Sequence, residues 1–250
     1  MCRRPQSVVA AVETGCPGSP DAAKAEMMMS DHAMSREEVL LRYRTCRQAI
    51  RRHLNATIKY TSAAAIKVTA RRIGLLSEGV IAADSFAEMT LVFDLVVFGT
   101  KAERSRAIDR YARANRFPDG SVEAVVLTAL QAGTFRIIQV KGRHHIAGIV
   151  VEDLFGGQEM WVMDEGFEAT LTDGMMLAAR LIRLDPFHST AGASVPISRY
   201  ILQDALLSLA GRRGINPALL DNPRLPEVVY AAAIKNGAMD TISFETEDQD

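Results

Sequence analysis

TFRIIQVKG (134–142), IAGIVVEDLFGGQ (146–158), EMWVMDEG (159–166), FEATLTDG (167–174) and MMLAARLIRLDPFH (175–188) follow one another at nearly regular intervals. Each is a short apolar run that ends in Gly, Asp or Pro. Such spacing predicts an antiparallel meander that closes into a small barrel or folded sheet. The segments on either side carry helical periodicity. The fold class read from the sequence is therefore α+β, with a helical N-terminal half, a small antiparallel β-meander or barrel, and C-terminal helices.

Working upstream, Ser35 followed by Glu38 has the pattern of a capping box. Val39, Tyr43, Cys46, Ile50, Leu54 and Thr57 or Ile58 then recur every three or four residues as one apolar stripe. A second helix is expected from Ser62 to about Gly74, with Ile66, Ala70 and Ile73 inward, and a short extended link over 79–84. Ser85 and Glu88 open a third helix whose Met89, Val92, Phe93, Val96 and Val97 make it the most apolar and place it centrally. Gly99 ends it. A charged helix over 101–114 and a short one from Ser121 to Gly133 complete the half. Downstream, Ser198 starts a helix with Ile201, Ala205 and Leu209 on one side, Asn216-Pro217 opens a short one, and Pro226–Asn236 is the last, with Gly237 just past its end. The expected divisions are a disordered tail at 1–33, a helical domain at 34–133, the β-module at 134–197, C-terminal helices at 198–240 and an acidic tail at 241–250.

The net charge of −1 conceals a split: residues 36–116 sum to +8 and residues 117–250 to −8. A basic half either meets an anionic partner or attracts the acidic half within the fold. Cys2, Cys16 and Cys46 are odd in number and scattered, which fits no disulfide framework or CxxC metal pair and points to a reducing cytoplasm. The longest apolar run, LVFDLVVF, falls far short of a membrane span and is broken by Asp94.

The words of the middle carry a resemblance. VVEDLFGGQEMWVMDEGFEATLTDGMMLAARLIRL (150–184) resembles a sheet pattern in uncharacterised bacterial proteins, and ARRIGLLSEGVIAADSFAEM (70–89) is similar to the helical half of the same group. The resemblance covers about residues 62–197. It also extends to the small β-modules that accompany SEC-C metal-binding tails. A SEC-C tail needs closely spaced cysteines, and no cysteine lies beyond Cys46, so its zinc function does not carry over. The group has no assigned activity; the resemblance implies architecture alone.

No GxSxG, HExxH, P-loop or GxGxxG stands in the setting its chemistry requires. His144-His145 are neighbours on a strand and turn, where adjacent side chains point to opposite faces, so no metal site is assigned. Glu152-Asp153 and Asp164-Glu165 read as turn residues at strand ends. His188, Ser189 and Thr190 read as a polar loop cluster, and Trp161 as a packing residue. No catalytic residue and no cofactor are assigned. The one candidate surface is basic: Arg44, Arg47, Arg51, Arg52, Arg71 and Arg72, whose guanidinium forks suit phosphate oxygens. The leading expectation is a non-enzymatic cytoplasmic binding or regulatory protein whose partner is another protein. A nucleic-acid-associated protein using the basic helices over 36–72 is second, and a hydrolase with an unrecognised site third. No membrane partner is expected.

Overall fold

Ser35 decides where the ordered helical half begins. Its hydroxyl accepts from the Glu38 amide and the Glu38 carboxylate accepts from the Ser35 amide, the two halves of a capping box. Helix α1 (Arg36–Thr57) follows and buries Val39, Tyr43, Cys46 and Ile50 on one stripe. The computed structural model describes residues 34–83, 85–99, 105–211, 214 and 219–241. The tail expected at 1–33, the helix start at Lys101, the Asn216-Pro217 helix and the acidic tail beyond 241 lie outside these residues.

Ser62 caps α2 (Ala63–Arg72), and the link after it is a tight hairpin of β1 (Leu76–Ser77) and β2 (Val80–Ile81). Ser85 caps α3 (Phe86–Phe98), which ends at Gly99; α4 (Ala107–Ala114) and α5 (Val122–Ala132, capped by Ser121) complete the helical half. In the expected β-module, β3 (Thr134–Arg143), β4 (Ile149–Asp153) and β5 (Glu159–Val162) form an antiparallel meander. Then come helix α6 (Glu165–Thr170), β6 (Met176–Arg183) and β7 (His188–Ile197). Helices α7 (Arg199–Ala210) and α8 (Leu225–Lys235) close the chain before a 3-10 turn at Ala238–Thr241.

The structure is α+β, as the sequence predicts, but the module departs from a plain meander in three ways. The strand order is β3-β4-β5-β7-β6, closed because β6 returns to pair with β3. Strands β5 and β7 meet in a parallel contact, between Val162 and His188, rather than an antiparallel one. FEATL is helical, not a strand: the Asp164 carboxylate accepts from the amides of Gly166 and Phe167 and so nucleates α6. His188, Ser189 and Thr190 are not a loop cluster; they begin a ten-residue strand. Its sequence, HSTAGASVPI, is small and polar enough to hide the alternation that marks a strand.

The pleat separates two cores. Ile138, Val140, Val151, Met160, Val162, Leu177 and Leu181 fill the interior of the closed sheet. On the outer face the row Ile137–Ala178–Val195, in register across three strands, packs with Leu91 and Val92 of α3 and Val229 and Tyr230 of α8. Trp161 alternates with Met160 and Val162 and lies outside the barrel interior, yet it is buried. Its indole donates to the Ala147 carbonyl at 2.6 Å, and the His144 ring stacks on it at 4.0 Å.

Helices α1, α4 and α5 meet at His53, which is buried. Its Nε2–H donates to the Glu123 carbonyl at 3.0 Å, leaving Nδ1 to accept from the Tyr111 hydroxyl at 2.9 Å. Burial holds its pKa below the ordinary 6.5, and burial does the same for His188. Unfolding frees both imidazoles to take protons near pH 6.5 while the folded chain refuses them. Stability should therefore decline as pH falls below about 6.5, before the carboxylates held low, such as Glu38 and Asp109, begin to protonate. Urea midpoints measured from pH 7.5 to 5.5 should show a fall that is shallower in His53→Gln; an identical slope would remove His53 from this account.

Candidate functional site

The basic stripe is largely turned to internal use. Arg44 grips Glu165 with both prongs, Nε to Oε2 at 3.2 Å and Nη2 to Oε1 at 2.6 Å. Arg52 meets Glu123 at 3.3 Å and Arg72 meets Glu227 at 3.1 Å. Arg47 donates through Nη1 to the Thr190 carbonyl and hydroxyl, at 3.0 and 3.2 Å. Arg36 adds a pair with Glu168 at 2.8 Å. Every acid in these pairs belongs to the negative half of the sequence, so the charge split brings the halves together. Each exposed pair contributes only about 0.2–1 kcal/mol, and the set fixes orientation more than it supplies stability. Arg51 and Arg71 make no side-chain hydrogen bond or ion pair among the described residues.

Beneath this surface is a charge pair that the sequence reading missed. Asp94 of α3 and Arg180 of β6 are 3% and 6% exposed. Arg180 donates from Nε to Oδ1 at 2.9 Å and from Nη2 to Oδ2 at 3.0 Å, and the Tyr230 hydroxyl of α8 donates to Oδ2 at 3.2 Å. The guanidinium also lies 4.3 Å from the centre of the Phe98 ring. Burial works against the Arg180 charge, but the Asp94 carboxylate outweighs it and holds its pKa above the ordinary value. Burial, reinforced by Asp94, keeps the Tyr230 hydroxyl protonated.

The strands make room for this pair. The β6–β7 register shifts between Ala179 and Leu181, so β7 bulges opposite Arg180. Gly192 lies within the bulge at a φ of 135°, and a Cβ there would collide with Asp94 Oδ1. The signal in the sequence was Asp94, the one charge in the apolar run LVFDLVVF, and Arg180, the one charge in LAARL.

Alongside Asp94, α1 and α3 leave a cleft of about 180 Å³. Ile50 and Leu54 of α1 and Ile58 just past its end, spaced by four, form one wall, and Phe93, Val97 and Phe98 of α3 form the other. A parallel row on α1, Arg47, Arg51 and Asn55, runs along one lip; Thr90 and the exposed Phe86 stand on the other. Asp94 and Gly192 close the base. Of the six arginines singled out by sequence, the cleft brings together Arg47 and Arg51; Arg44, Arg52, Arg71 and Arg72 lie outside its lining.

Most of the remaining sequence candidates have structural partners. Glu152 pairs with Lys141, and Asp153 with Arg136. Asp164 accepts from the Thr190 hydroxyl at 2.6 Å while capping α6. His188 and Ser189, as neighbours on β7, point to opposite faces, which separates them as base and nucleophile. The buried Ser189 hydroxyl has no hydrogen-bond partner. Among the described residues no three His, Cys, Asp or Glu side chains cluster as a metal site would need. No helix among them is long and apolar enough to cross a membrane.

A family model matches residues 37–208, from the first turn of α1 into α7. The chain belongs to the family of unknown function DUF7986. No curated protein and no solved structure is significantly similar to it. The match agrees with the expected uncharacterised group and carries no link to SEC-C proteins. The DUF7986 span contains every residue of the cleft, with Asp94, Arg180 and Gly192, while Tyr230 lies beyond it.

Removing one member of the buried pair strands the other. Asp94→Ala should cost about 3–5 kcal/mol by chemical denaturation, whereas the apolar replacement of both, Asp94→Leu with Arg180→Met, should recover most of the loss. A single variant within 1 kcal/mol of the parent would show that the pair is solvated.

Proposed function

We propose that this chain is a binding or regulatory protein rather than a catalyst, and that the cleft between α1 and α3 is its recognition site. The observation that carries the reading is the apolar cleft itself. Its walls come from two helices otherwise committed to the core, and its lining exposes Phe86 at 75%; Val80, on the hairpin that precedes α3 and outside that lining, is 68% exposed. A protein partner that covered these two side chains would bury apolar surface that the isolated chain leaves in water. The arginines favour the same reading, because most of the basic stripe is occupied by internal pairs. A cytoplasmic setting fits the scattered cysteines, of which Cys46 is buried and reduced.

The nucleic-acid reading keeps one observation in its favour: Arg51 and Arg71 are exposed and meet no acidic partner among the described residues. Affinity capture from the native cell separates the two. The tagged full chain should retain a protein after nuclease treatment, and Phe86→Ser should lose it. Recovery abolished by nuclease and by Arg51→Glu with Arg71→Glu, but indifferent to Phe86→Ser, would favour nucleic acid instead.

A further inference from the structure

We propose that the α1/α3 cleft binds a small amphiphilic monoanion, with one aromatic ring or short acyl chain between Leu54 and Phe93 and its single negative group on Arg51. The proposal rests on the reading of this cleft as the recognition site and adds the chemistry of what enters it.

Size comes first. A cavity of about 150 Å³ lined by Leu, Ile and Phe holds benzene. A cleft of about 180 Å³ with walls of the same residue types therefore takes one ring or an acyl chain of similar bulk. Anything larger must leave part of itself at the mouth. Polarity follows from the two rows of α1. Residues four apart stack on one face, so the apolar row Ile50–Leu54–Ile58 and the polar row Arg47–Arg51–Asn55 run side by side. A ligand lying along the helix meets carbon on one side and a cation on the other.

Charge then limits the ligand to one negative group. Arg47 is already spent on Thr190, whereas the Arg51 guanidinium meets no hydrogen-bond or ion-pair partner among the described residues. The carboxylate at the base does not repel an anion as a free one would, because Asp94 is neutralised by Arg180 and the Tyr230 hydroxyl. A polyphosphate would need more donors than the lip offers, and a cation would face Arg47 and Arg51. A monoanion with an apolar body matches both rows.

The test uses the full chain and two fluorescent probes that share one aromatic skeleton. Anilinonaphthalenesulfonate carries a single anion, and phenylnaphthylamine carries none. The sulfonate should bind the native protein with a blue-shifted rise in emission, and hexanoate should displace it where hexanamide does not. Arg51→Gln should weaken the sulfonate about tenfold, the scale of one lost hydrogen bond to a charged group, and leave the neutral probe unchanged. Thr90→Trp, or Leu54→Trp if the first does not fold, should fill the cleft and abolish both signals. Equal binding of the two probes, with both lost in the filled variant, would overturn the anionic ligand and leave the recognition site standing. No binding, or binding indifferent to both filled variants, would overturn the small-ligand proposal, while the recognition reading stands or falls on the capture experiment.

Discussion

The bidentate contact between Asp94 and Arg180 holds the layers of this protein in place. Asp94 comes from α3, Arg180 from the sheet and Tyr230 from the last helix, so one cluster ties the helical half, the β-module and the C-terminal helices together. Two charges out of water are costly, and their mutual attraction repays that cost only when the geometry is good and the remaining lone pairs are used. Both conditions hold: both carboxylate oxygens accept from the guanidinium and one accepts again from tyrosine. The bulge in β7 and the glycine within it are the backbone's accommodation of that geometry. A misdocked helix would leave a bare charge in an apolar layer, so the pair opposes wrong arrangements of the layers as well as joining the right one.

Around that centre, the exposed arginines act as a second and weaker tier. Arg36, Arg44, Arg52 and Arg72 each reach an acid from the other half of the sequence. The charge division along the chain is consequently a division between surfaces that meet, with most of its field cancelled inside the molecule. What survives is local. Arg51, without a partner among the described residues and beside an apolar cleft, stands out because its neighbours are occupied.

The cleft is a by-product of the same packing. Helix α3 is drawn toward the sheet by Asp94 and follows β7 closely at Gly192, while α1 is held by Arg47 on Thr190. Between them lies the cleft, with the exposed Phe86 in its lining. Three elements anchored by polar contacts beside the cleft leave an apolar gap that neither helix fills alone.

Much of this was legible in the sequence, because it depends on contacts between near neighbours. The capping serines at 35, 62, 85, 121 and 198 mark helix starts by capturing amides three residues on. The stripe from Val39 to Thr57 announces a buried helix face, and the turn glycines divide the strands. What stayed hidden depended on residues far apart. HSTAGASVPI became a strand because β6 and β5 supply its partners; FEATL, by contrast, turned helical through a local cap, Asp164, that reads in sequence as a turn residue. The use of each arginine, the pairing of Asp94 with a base 86 residues away, and the cleft beside them were settled only when the layers came together. Periodicity and capping are written in the spacing of a few residues, whereas partner choice across the fold is a tertiary outcome of burial, charge and available room.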